Sequence, residues 1–271
     1  MNFTNWRNST HGMLDVDDFI ASVLGPRRLA LNWLLPLTSV YAVIFSTGLI
    51  GNACTCLVIA GNPYMQTATN CYLFNLAVAD MLTLLCAMPL EMYSLWHQYP
   101  WQLGSWMCIL RTVMAEATAY ASILTIVTFS CEQYIAVCHP LHQTTRSKVT
   151  RAFRNIIIIW IVSFAAAAPY GLFTKVNYLS LGPDEEPLLE SAWCGFPFND
   201  PNREWETLML CSTFLFFVVP MTLISVLYFR ISITLHRARN MHRAETVSQN
   251  RTDGQRARIQ SRRIVIRMLS K

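Results

Sequence analysis

The sequence predicts an all-α membrane protein with five spanning helices. Three observations predict it: an apolar composition, repeated apolar runs of membrane-crossing length, and basic residues gathered in two short stretches. Of the 271 residues, 53% are hydrophobic and 14% charged, whereas an ordinary soluble domain carries roughly a quarter charged residues. Several runs exceed the ~18 residues that cross a hydrocarbon core of about 30 Å. The net charge of +5 would suit nucleic acid or anionic lipid if spread over a surface. Concentrated as it is, it reports topology, and no nucleic acid partner is expected.

Residues 1–33 are polar, carry the sequons Asn2-Phe3-Thr4 and Asn8-Ser9-Thr10, and lack the apolar centre of a cleavable signal peptide. They read as an outer tail glycosylated at Asn2 and Asn8. Apolar segments follow at about 34–60, 70–95, 106–138, 153–172 and 207–236. Each reads as a helix, because only helices or closed barrels satisfy their backbone in lipid and alternating strand patterning is absent. Orientation follows from retention of Lys and Arg on the cytoplasmic side. Arg146, Lys148, Arg151 and Arg154 follow the third segment, and Arg237, Arg239, Arg243, Arg251 and further arginines follow the fifth. Asp184, Glu185, Glu186, Glu190, Asp200, Glu204 and Glu206 lie between the fourth and fifth, on the opposite side. Arg27 and Arg28 before the first segment vote the other way and are outnumbered. The expected organisation is a tail at 1–33, a five-helix domain at 34–236 and a cytoplasmic segment at 237–271. In that last segment an apolar pattern resumes at Ile264, Val265, Ile266, Met268 and Leu269, the start of a sixth helix.

Ionisable groups inside spanning segments are costly and are therefore functional candidates. Asp80 stands midway along the second segment, Asn52 along the first and Ser122 along the third. Facing one another they would form either an oxygen-lined site for a small hard cation or a hydrogen-bonded cluster that fixes packing. Glu116 lies eight residues below Cys108, about 12 Å into the bilayer, and Glu91 lies eleven residues beyond Asp80, roughly 16 Å towards the outer face. Two carboxylates there would attract a cation, above all a guanidinium, whose fork fits a carboxylate. The competing reading holds each acid with a neighbouring hydroxyl or with Arg111, or lets Glu91 snorkel to the interface.

Gly51-Asn52, Leu76-Ala77, Ala79-Asp80, Cys108, Trp160, Pro169, Pro220 and Tyr228 stand at the mutual spacings of the rhodopsin-like (class A) G protein-coupled receptors. The chain resembles the first five helices of that seven-helix bundle. The resemblance implies that Asp80 and Ser122 are ligands of an allosteric sodium ion, the only cofactor expected, and that Pro220 and Tyr228 belong to the fifth-helix switch. Cys108 and Cys194 are the two cysteines that the topology places outside, where a bridge can form. Free thiols are the alternative, and the resemblance favours the bond. Glu132-Gln133-Tyr134 matches the motif through which the family meets a heterotrimeric G protein, except that the family has Arg where this chain has Gln133. Gln makes no charge-assisted fork, so coupling is expected to be weakened.

The run from Pro89-Leu90-Glu91-Met92-Tyr93 to Tyr99-Pro100-Trp101 resembles the neuromedin U, pyrokinin and CAPA peptide receptors. That resemblance implies an amidated neuropeptide ligand containing Pro-Arg, with Glu91 and Glu116 receiving its Arg; Trp101 and Trp106 are loop aromatics placed to contact it, although in the family the Trp106 position is more often a packing residue. The expected protein is a multi-pass receptor of the plasma membrane, N-terminus outside, truncated after its fifth helix and unable to signal alone. A short isoform that pairs with full-length receptor, as dimer partner or decoy, or that is retained in the endoplasmic reticulum, fits the same residues. A transporter would need corresponding broken helices in two halves, and an enzyme a positioned nucleophile or ligand cluster. Neither is seen, and no catalytic residue or structural metal is expected.

Overall fold

The computed structural model describes residues 14–139, 148–181, 186–197 and 203–247. The sequons at Asn2 and Asn8 and the resumed apolar pattern at 264–269 lie outside these residues. Helix α1 (Leu14–Leu24) precedes α2 (Leu31–Gly61), α3 (Ala68–Leu82), α4 (Met88–Trp96), α5 (Gly104–Cys138) and α6 (Lys148–Phe173). Strands β1 (Lys175–Leu179) and β2 (Leu188–Gly195) follow, then α7 (Glu204–Thr213) and α8 (Val219–Val247).

Five stretches are long and apolar enough to cross a membrane: Leu31–Gly61, Ala68–Trp96, Gly104–Cys138, Lys148–Phe173 and Glu204–Asn240. These first to fifth spans overlap the five predicted segments and run a few residues beyond most of their ends, because helical hydrogen bonding continues into polar flanks after the apolar run stops. The protein is a multi-pass membrane protein whose five spans are all helical. Leu35, Val43, Ile44, Ile50, Leu57, Ile157, Ile161, Leu215 and Phe229 remain exposed on these helices, as lipid-facing residues do.

The second and fifth spans each contain one π turn, at Thr83–Ala87 and Phe214–Val218. Each lies just before a proline, Pro89 or Pro220. A proline within a helix removes one amide donor and crowds the carbonyl four residues back, which is Leu85 in one span and Phe216 in the other. Widening one turn relieves that crowding while the helix continues. Apolar periodicity does not register such a turn, so the sequence reading had each span as one uninterrupted helix.

The described residues group into two compact units, one from 14–125 and 148–217, the other from 126–139 and 218–247. In the first unit, Ala79, Ala117, Ala121 and Ala167 are fully buried where helices approach. Small residues allow such approach when lipid offers no hydrophobic drive between helices. Buried hydrogen bonds add to this. The Asn75 amide donates to Thr125 Oγ1 (2.8 Å) and the Trp160 indole donates to Asn75 Oδ1 (2.8 Å), so three spans meet at one side chain. Thr83, in the π turn, donates to Thr118 (2.7 Å), and Asn155 donates to the Tyr72 hydroxyl (2.9 Å).

Two further elements shape the end of this unit that bears Cys108. Between the fourth and fifth spans, β1 and β2 form an antiparallel hairpin with Val176 opposite Cys194. Within the stretch 1–33, read from sequence as a polar tail, α1 buries Ile20 against Tyr99 and Leu179, with Phe19 and Trp193 alongside. Gly25, at φ 83°, follows its last residue, and its N–H bonds to Ala21 O (3.0 Å). Glycine takes this left-handed conformation at little cost and commonly stops a helix there. Arg27 then pairs with both Asp17 (2.8 Å) and Glu190 (3.4 Å), and the Tyr99 hydroxyl donates to Gly25 O (2.7 Å). The helix is thereby fastened to the hairpin.

Candidate ligand-binding site

Cys108, in the second turn of α5, is bonded to Cys194 of β2, with Cα atoms 5.6 Å apart. This bond fixes the hairpin across one end of the first unit. Trp101 packs beside the bond with Ala192, and Tyr93, Val176 and Cys194 lie against them. The Trp101 amide donates to Ala192 O (2.7 Å) and its indole donates to Gly104 O (2.9 Å). Trp101 is thus a wall of the site. Trp106 faces outward instead, 71% exposed.

Glu91 is carried by α4 on the far side of the π turn and is exposed. Arg111, one turn beyond Cys108, brings Nη1 to 3.5 Å from Glu91 Oε1 and donates from the same nitrogen to Ser94 Oγ at 2.7 Å. Its guanidinium carbon lies 5.9 Å from the centre of the Trp101 ring, within cation–π range. The alternative raised for Glu91, that Arg111 holds it, is therefore seen in the structure.

Glu116 has different neighbours. It is partly buried, one and a half turns deeper on the same helix as Arg111. Tyr120, one turn further, lies within reach of Glu116, Tyr170 and Ser212. The Tyr120 hydroxyl is buried without a hydrogen bond of full geometry. Its ring stacks on Phe216 with centroids 4.0 Å apart, and Phe196 in turn stacks on Trp205 (5.5 Å). Among the described residues no cation pairs with Glu116. It is a carboxylate set beside aromatic rings, and aromatic faces favour a cation as well.

Deeper in the unit, Ser122 lies within reach of the Asp80 carboxylate. The Asn52 amide donates to Gly48 O in its own helix (3.0 Å), which leaves its side-chain oxygen available. Asn75, at the centre of the three-span network, is not singled out by the sequence reading, because no residue spacing reveals which neighbour a side chain will meet. Among the described residues there is no group of three or more His, Cys, Asp or Glu suited to hold a metal.

In the second unit, Glu132, Gln133 and Tyr134 lie near the end of α5 and are partly buried. The Tyr134 ring meets His139 edge-on at 5.5 Å, and Cys138 Sγ lies 3.3 Å from Thr234 Oγ1 on α8. Pro220 is buried and Tyr228 is 47% exposed on the same helix.

Residues 51–270 match the family of seven-transmembrane receptors described as the rhodopsin family. The chain is 40% identical over 215 residues to the pyrokinin-1 receptor of Drosophila melanogaster, covering 79% of this chain and 47% of that receptor. It is 38% identical over 234 residues to neuromedin-U receptor 2 of Mus musculus (86% and 58%) and 32% identical over 273 residues to a neuromedin U receptor homologue of Caenorhabditis elegans (96% and 66%). The chain thus spans between about half and two thirds of the length of these relatives. With five membrane-length helices, the Cys108–Cys194 bond and this match along most of its length, the chain belongs to the rhodopsin family of G protein-coupled receptors, in the neuromedin U and pyrokinin receptor group.

Proposed function

We propose that this chain forms the ligand-recognising part of a receptor for amidated neuropeptides containing Pro-Arg, with Glu116 as the anchor for the peptide Arg and Glu91 beside it. The observation that carries the reading is Glu116 itself, a partly buried carboxylate beside Tyr120, to which no cation is paired among the described residues. A guanidinium entering there gains a charge-assisted bond and aromatic faces together. The similarity to receptors named for neuromedin U and pyrokinin supports the ligand class.

In this reading the Cys108–Cys194 end faces the cell exterior, where a disulfide persists, and Lys148, Arg151 and Arg154 face the cytoplasm. The receptor then resides in the plasma membrane. Asp80 and Ser122 supply oxygen ligands for a sodium ion, joined by the free oxygen of Asn52. Hard cations take oxygen ligands of this kind. Ligand binding shifts a population of conformers towards one that admits a heterotrimeric G protein near Glu132-Gln133-Tyr134, with Gln133 weakening that contact because it carries no charge.

The test is peptide binding to membranes holding the 271 residues continued in frame by the sixth and seventh helices of a neuromedin U receptor, with the unextended chain alongside. An amidated Pro-Arg peptide is compared with its citrulline analogue, which keeps the shape and loses the charge. Glu116→Gln is expected to weaken the Arg peptide at least tenfold and to leave the citrulline analogue within about twofold, tenfold being the loss of ~1.4 kcal/mol. Equal losses for the two peptides would reject Glu116 as the Arg anchor.

A further inference from the structure

The two acids assigned to the ligand are not equivalent, because one already has a guanidinium beside it. Arg111 is only 17% exposed, and its Nε is buried without a hydrogen-bond partner. Ser94 Oγ at 2.7 Å and the Trp101 ring hold its position, and Trp101 is itself fixed by Ala192 and Gly104. Against Glu91 Arg111 makes a single contact of 3.5 Å, longer than the ~2.7–2.9 Å of a charge-assisted bond. Glu91 is 47% exposed and can turn towards an incoming group. Arg111, with its buried face and two fixed neighbours, has less freedom to leave.

We propose that Arg111 is a specificity-determining residue: an internal guanidinium that occupies Glu91 in the absence of ligand and competes with the Arg of the peptide for it. The inference rests on the reading of Glu91 and Glu116 as the Arg-recognising pair. A ligand guanidinium approaching Glu91 meets a like charge held nearby, in a partly desolvated setting where charge repulsion is stronger than in water. At Glu116, among the described residues, it meets none. Glu116 therefore supplies most of the Arg selectivity, and Arg111 limits what Glu91 adds.

The experiment uses the extended receptor described above, the amidated Pro-Arg peptide and its citrulline analogue, with surface labelling to normalise binding. Arg111→Gln is expected to tighten binding of the Arg peptide about tenfold and to leave the citrulline analogue within about twofold. Arg111→Lys, which keeps the charge, is expected to give no such gain. On a Glu91→Gln background the gain from Arg111→Gln should vanish, because the shared carboxylate is gone. A weakening of both peptides alike would show Arg111 to be a brace for Ser94 and Trp101, and a gain that persists without the Glu91 carboxylate would equally overturn the proposal. Should Arg111→Gln fail to reach the surface, the acids decide: Glu91→Gln is expected to weaken the Arg peptide by no more than about twofold, against the tenfold or more of Glu116→Gln, and equal losses overturn the inference. If the unaltered receptor binds neither peptide, or does not distinguish Arg from citrulline, the peptide-Arg reading itself fails and takes this inference with it.

Discussion

The indole N–H of Trp160 donates to the side-chain oxygen of Asn75 across 2.8 Å, and the Asn75 amide donates in turn to Thr125. One side chain thus joins the second, third and fourth spans, with its donor and its acceptor both used inside an apolar surround.

Asn75→Leu should therefore lower stability more than loss of either bond alone, since it strands the Trp160 donor in a buried position. A stranded buried donor costs about 1–3 kcal/mol, and a hydrogen bond between membrane helices averages nearer ~0.6 kcal/mol. Trp160→Phe keeps a ring in place and leaves the Asn75 oxygen unpaired, and its expected cost lies below that of Asn75→Leu. Thermal unfolding of the detergent-purified chain measures both, and an unchanged midpoint for Asn75→Leu would rule the network out as a fastening.

Two glycines offer a matched comparison of helix approach. A Cβ at Gly171 would lie 2.9 Å from Val113 Cγ2 and 3.3 Å from Ile109 Cγ2, whereas one at Gly48 would lie 2.9 Å from Leu84 Cδ1. Val and Ile are stiff at χ1, while the end of a leucine swings aside. Gly171→Ala is expected to destabilise by about 1–3 kcal/mol through overpacking, and Gly48→Ala by less. The same thermal measurement decides, and the reverse order would mean that the third and fourth spans give way more easily than these side chains suggest.

The fastening of α1 separates packing from charge. Ile20 is fully buried, while Arg27 pairs at the surface with Asp17 and Glu190. Ile20→Ala should free the helix, since truncating a buried Ile costs roughly 2–5 kcal/mol. Arg27→Ala should loosen it by no more than about 1 kcal/mol, the scale of exposed ion pairs. Tyr99 adds a pH dependence. Burial pushes its phenol above the ordinary tyrosine range, with Arg27 pulling it partly back and Asp17 adding to the rise. The docked state thus favours the neutral phenol, which donates to Gly25. Its contribution is complete below about pH 10 and is lost as pH rises through the raised value. Hydrogen exchange of residues 14–24 reads all three effects. Release of α1 by Arg27→Ala as complete as by Ile20→Ala would refute the packing account.

The sequence by itself determined the membrane class, the five spans and the family, because each follows from properties that add along the chain. A run of apolar residues long enough to cross lipid has few alternatives, and motif residues at fixed helical spacings survive as letters. It also singled out Glu91, Glu116, Asp80 and Ser122, because charge and polarity inside an apolar run stand out in one dimension. The tertiary structure decided what those residues touch. Glu91 meets Arg111, twenty positions away, while Glu116 sits beside Tyr120, which also lies near Tyr170 and Ser212; the identity of a carboxylate does not say which neighbour folding will bring to it. The same holds for α1 and for the hairpin at 175–195. Both are short and mixed in polarity, and neither has a pattern strong enough to read alone; each gains its order from the other through Ile20, Tyr99, Leu179 and Trp193. Those contacts join residues separated by up to 173 positions, so their stability belongs to the folded arrangement and not to either segment.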